Sequence, residues 1–590
     1  MSVVSNVHKG AAWLLEETDQ SSIFTPEKLS EEHRLIAQTV DEFVEAEVLP
    51  KITQLETRDW TLARALIRRA GELGLLGLSV PEQYGGLDLD KVSALVVSER
   101  IARSASLGAA YGAQANLCII PIVLFGTDAQ KQKYLPGLAS GETIGAYALS
   151  ESGSGSDALA ARTQATKQPD GSWVLSGEKM WITNGGFADI FIVFAQVAGD
   201  QFTAFIVERA FGVVSGHEEH KMGLHGSSTT PILLQDVKVP AENLLGEIGK
   251  GHKVALTTLN FGRFKLGAMC SGGCRSAIGE AARYAGQRKQ FGHAIADFGA
   301  IKHKIGEMTS RTYALESLMY RTAGLIDRTV AEGGHGGGSA TAAALEEFAV
   351  EASIAKVMGS EVLDFVLDEN VQIHGGNGFV SDYPAERYYR DARVNRIFEG
   401  TNEINRMLIP GMLVRRALKG EIELIAAAKR LQDEWLSPSG SSIAGDIEGL
   451  DADTRTVAAF KKVALMVLGT AMQTYGQKLT DEQEVLSAAA DILIDTYAAE
   501  SAVLRAREAA KSRQADAALH EAAARTFVSD AAQRIQAAAA NSLAAMAEGD
   551  ALRTLLAALR RLLKVTPINT VALRRTLADA TVSRGSYILS

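Results

Sequence analysis

A carboxylate that takes a proton near neutral pH must be poorly solvated, and one acid in this 590-residue chain has neighbours of that kind. Glu399 lies in RIFEGTNEINR, Arg396 to Arg406, between Phe398 and Gly400 and two residues before Thr401. Thr401 is placed to cap a helix that opens at Asn402 and Glu403. A carboxyl between an aromatic and a glycine is not on a solvated helix face, so desolvation is expected to raise its pKa and suit it as a general base. By spacing alone, a capping or ion-paired glutamate is the commoner role of an acid.

Four further segments could hold a flat, phosphate-bearing ligand. In YALSESGSGSD, Tyr147 to Asp157, Gly153 and Gly155 allow close backbone approach, and Ser150, Ser152, Ser154 and Ser156 bring hydroxyls, although such residues also build ordinary turns. In KMWITNGG, Lys179 to Gly186, strand alternation puts Trp181 and Thr183 on one side; this suits a planar heterocycle, and an inward core tryptophan equally. RKQFG, Arg288 to Gly292, sets a cation beside Gln290 and Phe291 where a diphosphate or adenine could sit, or ends a solvated helix. QIHGGNGF, Gln372 to Phe379, offers paired glycines after a helix, a close-approach site or a helix stop.

The elements that must position these segments show in composition and period. Twelve prolines, about 2% against a usual ~5%, predict mostly helix. Ser30 before Glu31 and Glu32 predicts an N-cap, with Ile36, Val40, Phe43, Val44 and Val48 at helical spacing and helices continuing to about residue 140. Ile190–Val197, Phe202–Val207 and Ile232–Val239 predict a β domain inserted between about 145 and 245. Helical periodicity returns from His252 to Gly333 and from about Ala340 to Gln372, across a Gly-rich stretch, Gly333 to Ser339, that lacks the Lys-Ser/Thr of a phosphate loop and reads as a connector. After a linker at Ser437 to Gly449, helices near 452–478, 483–514 and 517–563 predict a separate helical domain of structural role, with Ala537 to Ala540 suited to close packing. The expected domains are 1–144, 145–250, 251–420 and 421–590.

Composition narrows the classes. With 46% hydrophobic and 22% charged residues the chain is globular, and its longest apolar run, Leu117 to Phe125, is short of a bilayer span. Sixty basic and 70 acidic residues give −10, against nucleic-acid binding. Three cysteines, Cys118, Cys270 and Cys274, exclude a disulfide framework; Cys270 and Cys274 share a helix face but have no companions for a metal, and none is expected. The first twenty residues resemble neither a secretory signal nor an arginine-rich transit peptide, so a cytoplasmic location is expected.

In this order the five segments resemble the acyl-CoA dehydrogenase family over roughly residues 30 to 420, and LNFGRF (Leu259 to Phe264), the ADFG after QRKQFG and the C-terminal helices resemble its very-long-chain branch. The resemblance implies an N-terminal α domain, a β-barrel-like domain and a four-helix bundle, mainly α overall, with an extra helical domain. It implies FAD held by Leu149, Ser150, Gly155, Ser156, Trp181, Ile182 and Thr183, with Thr401 and Glu403 on the other side. Arg288, Gln290, Phe291, Ile295, Phe298, Gln372, Gly375 and Gly376 are implied to reach the FAD of a neighbouring subunit, hence at least a dimer. Glu399 matches the family's base. Relatives that carry their base on the helix have it where this chain has Gly262, which has no side chain, and Gly262 is expected to leave room for a long acyl tail. Ser156, Asn260, Gly262, Arg263 and Gly400 are the implied substrate contacts; His225 in KMGLHGSS replaces the Arg or Lys of many relatives.

The implied reaction converts a fatty acyl-CoA, long-chain by this resemblance, to the trans-2-enoyl-CoA of β-oxidation. Glu399 takes the α-proton while its backbone N–H and an FAD hydroxyl hold the thioester oxygen. Electrons are expected to pass to an electron-transfer flavoprotein. The rival readings are an acyl-CoA oxidase, which uses O₂, and a non-catalytic flavoprotein; a DNA-binding one is disfavoured because acids interleave with the C-terminal arginines, as at Glu500 and Arg505 to Glu508. Ser437 to Asp453 carries acids and no Lys or Arg, so membrane contact is expected to be peripheral at most.

Overall fold

The computed structural model describes residues 9–333, 337–436 and 448–589. The N-terminal layer holds helices α1 (Glu31–Phe43), α2 (Ile52–Glu56), α3 (Trp60–Glu72), α4 (Lys91–Ile101), α5 (Ala105–Gly112), α6 (Ile119–Phe125) and α7 (Asp128–Ser140). Ser30 caps α1 as its sequence predicts: its hydroxyl accepts from the His33 N–H at 3.1 Å, and its own N–H donates to His33 Nδ1 at 3.2 Å. With the π-helical turn Ala113–Cys118, α5 and α6 make one helical stretch from Ala105 to Phe125, mean hydropathy 1.6, longer than the apolar run seen in the sequence. Of its most apolar window 78% is buried within the protein, as in a core helix.

Eight strands follow: β1 (Gly145–Ala148), β2 (Gln164–Lys167), β3 (Trp173–Thr183), β4 (Ile190–Val197), β5 (Gln201–Glu208), β6 (Val214–Ser215), β7 (Thr229–Val239) and β8 (Leu244–Leu245). Their order is β6-β7-β3-β2-β4-β5-β8, with β1 added in parallel against β4. All eight residues of β4 are buried, as expected of a strand covered on both faces. The sequence pattern finds β4, β5 and β7 and misses β2, whose Gln164-Ala165-Thr166-Lys167 is mostly exposed and carries no apolar alternation.

The helices after the sheet are α8 (Gly251–Gln287), α9 (Gly299–Glu332), α10 (Gly337–Glu347), α11 (Ala349–His374), α12 (Ala385–Ala392) and α13 (Asn402–Leu418). The long α8 packs along α11 and α9, and α13 closes on α11. One expected helix, 340–372, is two, because the chain bends at Phe348. Of the Gly-rich connector, residues 334–336 lie outside the described residues, as do 437–447 of the expected linker.

The C-terminal helices are α14 (Leu424–Leu436), α15 (Gly449–Tyr475), α16 (Gln483–Lys511), α17 (Ala517–Met546), α18 (Gly549–Leu562) and α19 (Thr570–Arg584). The expected helix 517–563 breaks at Ala547, where the backbone becomes extended, and Gly549 follows with φ 57°. Within the Ala537–Ala540 run only Ala539 is buried. These helices share one apolar core with the bundle, from Phe261 and Leu318 to Phe460, Leu493 and Phe527, so the expected separate domain is fused to it.

Candidate active site

Glu399 sits in a tight crook between the end of a 3₁₀ turn, Arg393–Arg396, and the start of α13. Its φ is 57° and that of Gly400 is 80°, two consecutive residues in the left-handed region; for a glutamate this is strain that the surroundings must hold. They do so through the carbonyls. Arg263 Nε donates to Glu399 O at 3.0 Å, Lys356 Nζ to Gly400 O at 2.7 Å, and Asn405 Nδ2 to Gly400 O at 2.8 Å and Thr401 O at 3.0 Å. The Thr401 hydroxyl accepts from the Ile404 N–H at 3.2 Å, the N-cap expected from sequence, and Glu403 is exposed in the first turn of α13.

The Glu399 side chain lies against Gly262 of α8, where a Cβ would stand 2.6 Å from Oε2 and 3.0 Å from Oε1. The absence of a side chain at Gly262 thus makes room for the Glu399 carboxyl. Oε2 is buried and has no hydrogen-bond partner. Burial pushes the Glu399 carboxyl up to about 7, against the opposing pull of Arg263 and Lys356, so the desolvation inferred from Phe398 and Gly400 is present. Burial likewise brings the Lys356 ammonium down to about 8.

Asn260 and Arg263 do not line an open surface. Both are buried behind Glu399, Arg263 Nη1 donating to Asn260 Oδ1 at 3.0 Å and Asn260 Nδ2 to Leu345 O at 3.4 Å. In this structure they brace the loop. His225 Nε2 bonds Lys221 O at 3.0 Å, and its Nδ1 lies 4.0 Å from Glu56, tying its turn to the N-terminal layer.

The Gly/Ser loop after β1 is built to stay open. Buried Glu151 accepts from Arg162 N at 2.6 Å and from the Thr163 hydroxyl at 2.6 Å, and pairs with fully buried Lys179 at 2.7 Å. That clamp leaves Gly153, Gly155 and Ser156 exposed, with no atom within 4 Å of where a Cβ on either glycine would stand. Leu149 is buried and Ser150 O accepts from Met180 N at 2.9 Å, joining the loop to β3. A register shift between Lys179 and Ile182 puts Trp181 at φ 59° and leaves it 58% exposed, with Thr183 on the same side and Ile182 buried on the other. The inward-tryptophan alternative is thereby removed; a bulge re-aims the ring outward.

The other two segments form exposed features. Lys289–Gln290 and His293–Ala294 pair as a hairpin whose tip carries Phe291 at φ 53° and 91% exposed, its ring edge-to-face with Phe298 at 6.1 Å. Arg288 and Gln290 are exposed and Ile295 packs against the core. Gln372 is exposed at the end of α11, and Gly375 and Gly376 make a bare shelf with nothing within 4 Å of a Cβ on either. Cys270 and Cys274 are buried thiols on α8.

Sequence reasoning did not single out Lys356, Asn405, Glu151 or Lys179. The available signal was a charge inside an apolar run, as in ASIAKVMG around Lys356 or EKMWIT around Lys179.

Known proteins share this arrangement. Residues 30–142 match the family model for the acyl-CoA dehydrogenase N-terminal domain, 146–237 that for its middle domain, and 249–412 and 459–561 two models for its C-terminal domain. A probable acyl-CoA dehydrogenase of Bacillus subtilis (strain 168) is 47% identical over 99% of both chains. The mitochondrial very long-chain specific acyl-CoA dehydrogenase of Macaca fascicularis is 39% identical over 72% of this chain and 67% of its own length. The crystal structure of a Bacillus anthracis acyl-CoA dehydrogenase complexed with FAD superposes with a TM-score of 0.96 at 46% identity, covering 98% of this chain and 100% of that one. The chain belongs to the acyl-CoA dehydrogenase family.

Proposed function

We propose that this protein is an FAD-dependent acyl-CoA dehydrogenase that oxidises the α,β bond of a fatty acyl-CoA to the trans-2-enoyl thioester, with Glu399 as the base. The observation that carries this reading is a buried carboxylate with a partnerless oxygen, held in a left-handed crook beside a glycine.

The residues fit FAD. Open glycines at 153 and 155, the outward Trp181 with Thr183, and Leu149, Ser150, Ser156 and Ile182 around them make a wall that a flat ring can lie on. Thr401 and Glu403 would face it from α13. Bound there, FAD supplies the acceptor for the hydride that leaves the β-carbon. The hairpin at Arg288, Gln290, Phe291, Ile295 and Phe298 and the shelf at Gln372, Gly375 and Gly376 would complete the FAD site of a second subunit, as a dimer requires.

Glu399 removes the proton on the carbon next to the thioester carbonyl. That proton is weakly acidic in water, so the base must be strong enough to take it and still ionised at working pH. Burial raises its proton affinity, and Arg263 and Lys356 limit the rise, leaving a group poised near neutrality. Because Arg263 and Lys356 engage the loop carbonyls, they fix the backbone without forming an ion pair that would blunt the carboxylate. Gly262 and Gly400 leave the space in which base and substrate meet.

The reading extends to a long acyl chain, β-oxidation, electron transfer to an electron-transfer flavoprotein and a cytoplasmic location. To test the core of it, Glu399→Gln is loaded with FAD and mixed anaerobically with acyl-CoA of graded length. Reduction of the flavin is expected to fall at least about a thousandfold. Fast bleaching in this folded, FAD-loaded variant excludes Glu399 as the base. Peroxide formed per turnover of the wild type separates a dehydrogenase from an oxidase.

A further inference from the structure

The shelf at Gly375 and Gly376 is bare backbone, and one residue outside it ties both of its ends: Tyr284, in the last turn of α8. The Tyr284 hydroxyl accepts from Asn377 Nδ2 at 3.0 Å and donates to His374 O at 3.2 Å, so a single oxygen joins the residue before the glycine pair to the residue after it. The phenol ring stacks on the buried His374 imidazole with centroids 4.1 Å apart, and Tyr383 meets the two rings edge-on at 6.3 and 6.2 Å. His374 is fixed in turn, its Nδ1 bonding Asn370 O at 2.8 Å, while Asn370 Nδ2 donates to Glu280 Oε2 on α8 at 3.2 Å. Beyond the pair, Gly378 lets the chain fold back on α11, where a Cβ would run into Val371 O. Tyr284 also governs the hairpin, through its main chain. Its carbonyl accepts from Arg288 N at 2.8 Å at the end of α8, and Arg288 O accepts from Ile295 N at 2.8 Å, which closes the loop that carries Phe291.

The phenol is not needed to stop α11, because the Gly375 N–H already bonds the Gln372 and Val371 carbonyls and Gly375, at φ 58°, turns the chain. What the phenol adds is a fixed course for the residues around the glycines. Glycine loses the most conformational freedom when it is ordered, so a loose pair would weaken any ligand that had to order it, and a pair held in advance does not. We propose that Tyr284 is a positioning residue for the cofactor, holding the glycine shelf and the hairpin at a fixed separation so that the FAD of a second subunit meets backbone already in place. This deepens the reading of those two segments as part of the FAD site and rests on it.

Tyr284→Phe keeps the ring on His374 and removes both hydrogen bonds. The FAD-loaded, full-length enzyme is diluted, and release of FAD is followed by the fluorescence of the free flavin. The variant is expected to release FAD about tenfold faster, with far-UV circular dichroism and oligomeric state matching the wild type. An unchanged release rate overturns the inference. Faster release that comes with lost helical signal or a changed oligomeric state overturns it too, since a loosened bundle would do the same. Gly376→Val is run beside it: it sets bulk on the shelf where nothing lies within 4 Å, and FAD is expected to leave about a hundredfold faster. If Gly376→Val loses FAD while Tyr284→Phe keeps it, only the role of Tyr284 falls. If Gly376→Val holds FAD as the wild type does, the shelf is not part of the FAD site, and that reading fails and takes this inference with it.

Discussion

Glu399 and Glu316 are both buried glutamates of the helical half of the molecule, and their partners differ. Glu316, on α9, receives Arg505 Nη1 at 2.7 Å, Arg275 Nη1 at 3.3 Å and the Tyr587 hydroxyl at 3.3 Å. Arg505, fully buried on α16, also donates through Nε to Glu27 at 2.9 Å and through Nη2 to Leu589 O, and Arg275 reaches Glu99 at 3.3 Å, where Tyr320 donates at 2.8 Å. Though burial works against it, Glu27 and Glu316 hold the Arg505 guanidinium protonated well above its ordinary value. Burial raises both carboxyls and each keeps one oxygen without a hydrogen bond, but both oxygens of Glu316 face guanidinium groups, whereas around Glu399 the nearest cations bond backbone carbonyls and no ion pair forms among the described residues. Burial with matched partners joins the N-terminal segment, the bundle, α16 and the C-terminal residues into one body. Burial without them leaves a group free to exchange a proton. The same desolvation acts at both places, and the pairing with cations sets them apart.

The contrast breaks most sharply through Glu399→Gln. It should remove at least about a thousandfold of the flavin-reduction rate, followed anaerobically, while folding and FAD content are retained. Arg505→Ala should do the reverse. Leaving half-buried Glu27 without its cation and Glu316 with Arg275 alone is expected to cost about 3 kcal/mol in chemical unfolding, with the pH dependence of turnover in the surviving enzyme unmoved. A shifted profile there would mean that the two regions are coupled.

A smaller effect sharpens the point. The Glu399 carboxyl titrates near 7 when folded and near its ordinary 4.5 when unfolded. Between those values the folded protein binds more protons than the unfolded chain, so this group's contribution to stability falls as pH rises through the window. Glu399→Gln escapes that cost and should be more stable than the wild type by roughly 2 kcal/mol at about pH 8, with the gain gone by about pH 4; equal melting curves at both pH values would show the carboxyl to be solvated. The same ionisation places the acid limb of wild-type turnover near 7, activity falling below it. Smallest is Gly262→Ala: the new Cβ would lie 2.6 Å from the base, whose end can swing aside, so kcat/KM should drop about threefold to tenfold while melting stays put.

Much of the fold is legible in the sequence because it is written in local period. The cap at Ser30, the strand Ile190–Val197, the Ile232–Val239 part of β7 and the N-cap Thr401 all follow from residue type and spacing. The elements missed have no such period. β2 has almost nothing to bury, and α18 is set apart from α17 only by the extended Ala547 and the left-handed Gly549. At the site, the desolvation of Glu399 was legible from Phe398 and Gly400, while its role as base came from the family resemblance alone, and its supports were not legible. Arg263, Lys356 and Asn405 act from α8, α11 and α13, and although a charge in the apolar run ASIAKVMG sets Lys356 apart, nothing local says that it holds the Gly400 carbonyl 44 residues on.

What the sequence determined by itself was the inventory: which stretches coil, which extend, where glycine allows a backbone turn, and which acid stands among apolar neighbours. These are short-range preferences of φ, ψ and burial, fixed within a few residues. Tertiary structure alone decided that Gly262 clears space for Glu399, that Arg263 faces a carbonyl rather than a carboxylate, and that the C-terminal helices share the core of the bundle. Those outcomes depend on which surfaces meet, and a charge is tuned by what lies within a few ångströms in space, however far away that lies along the chain.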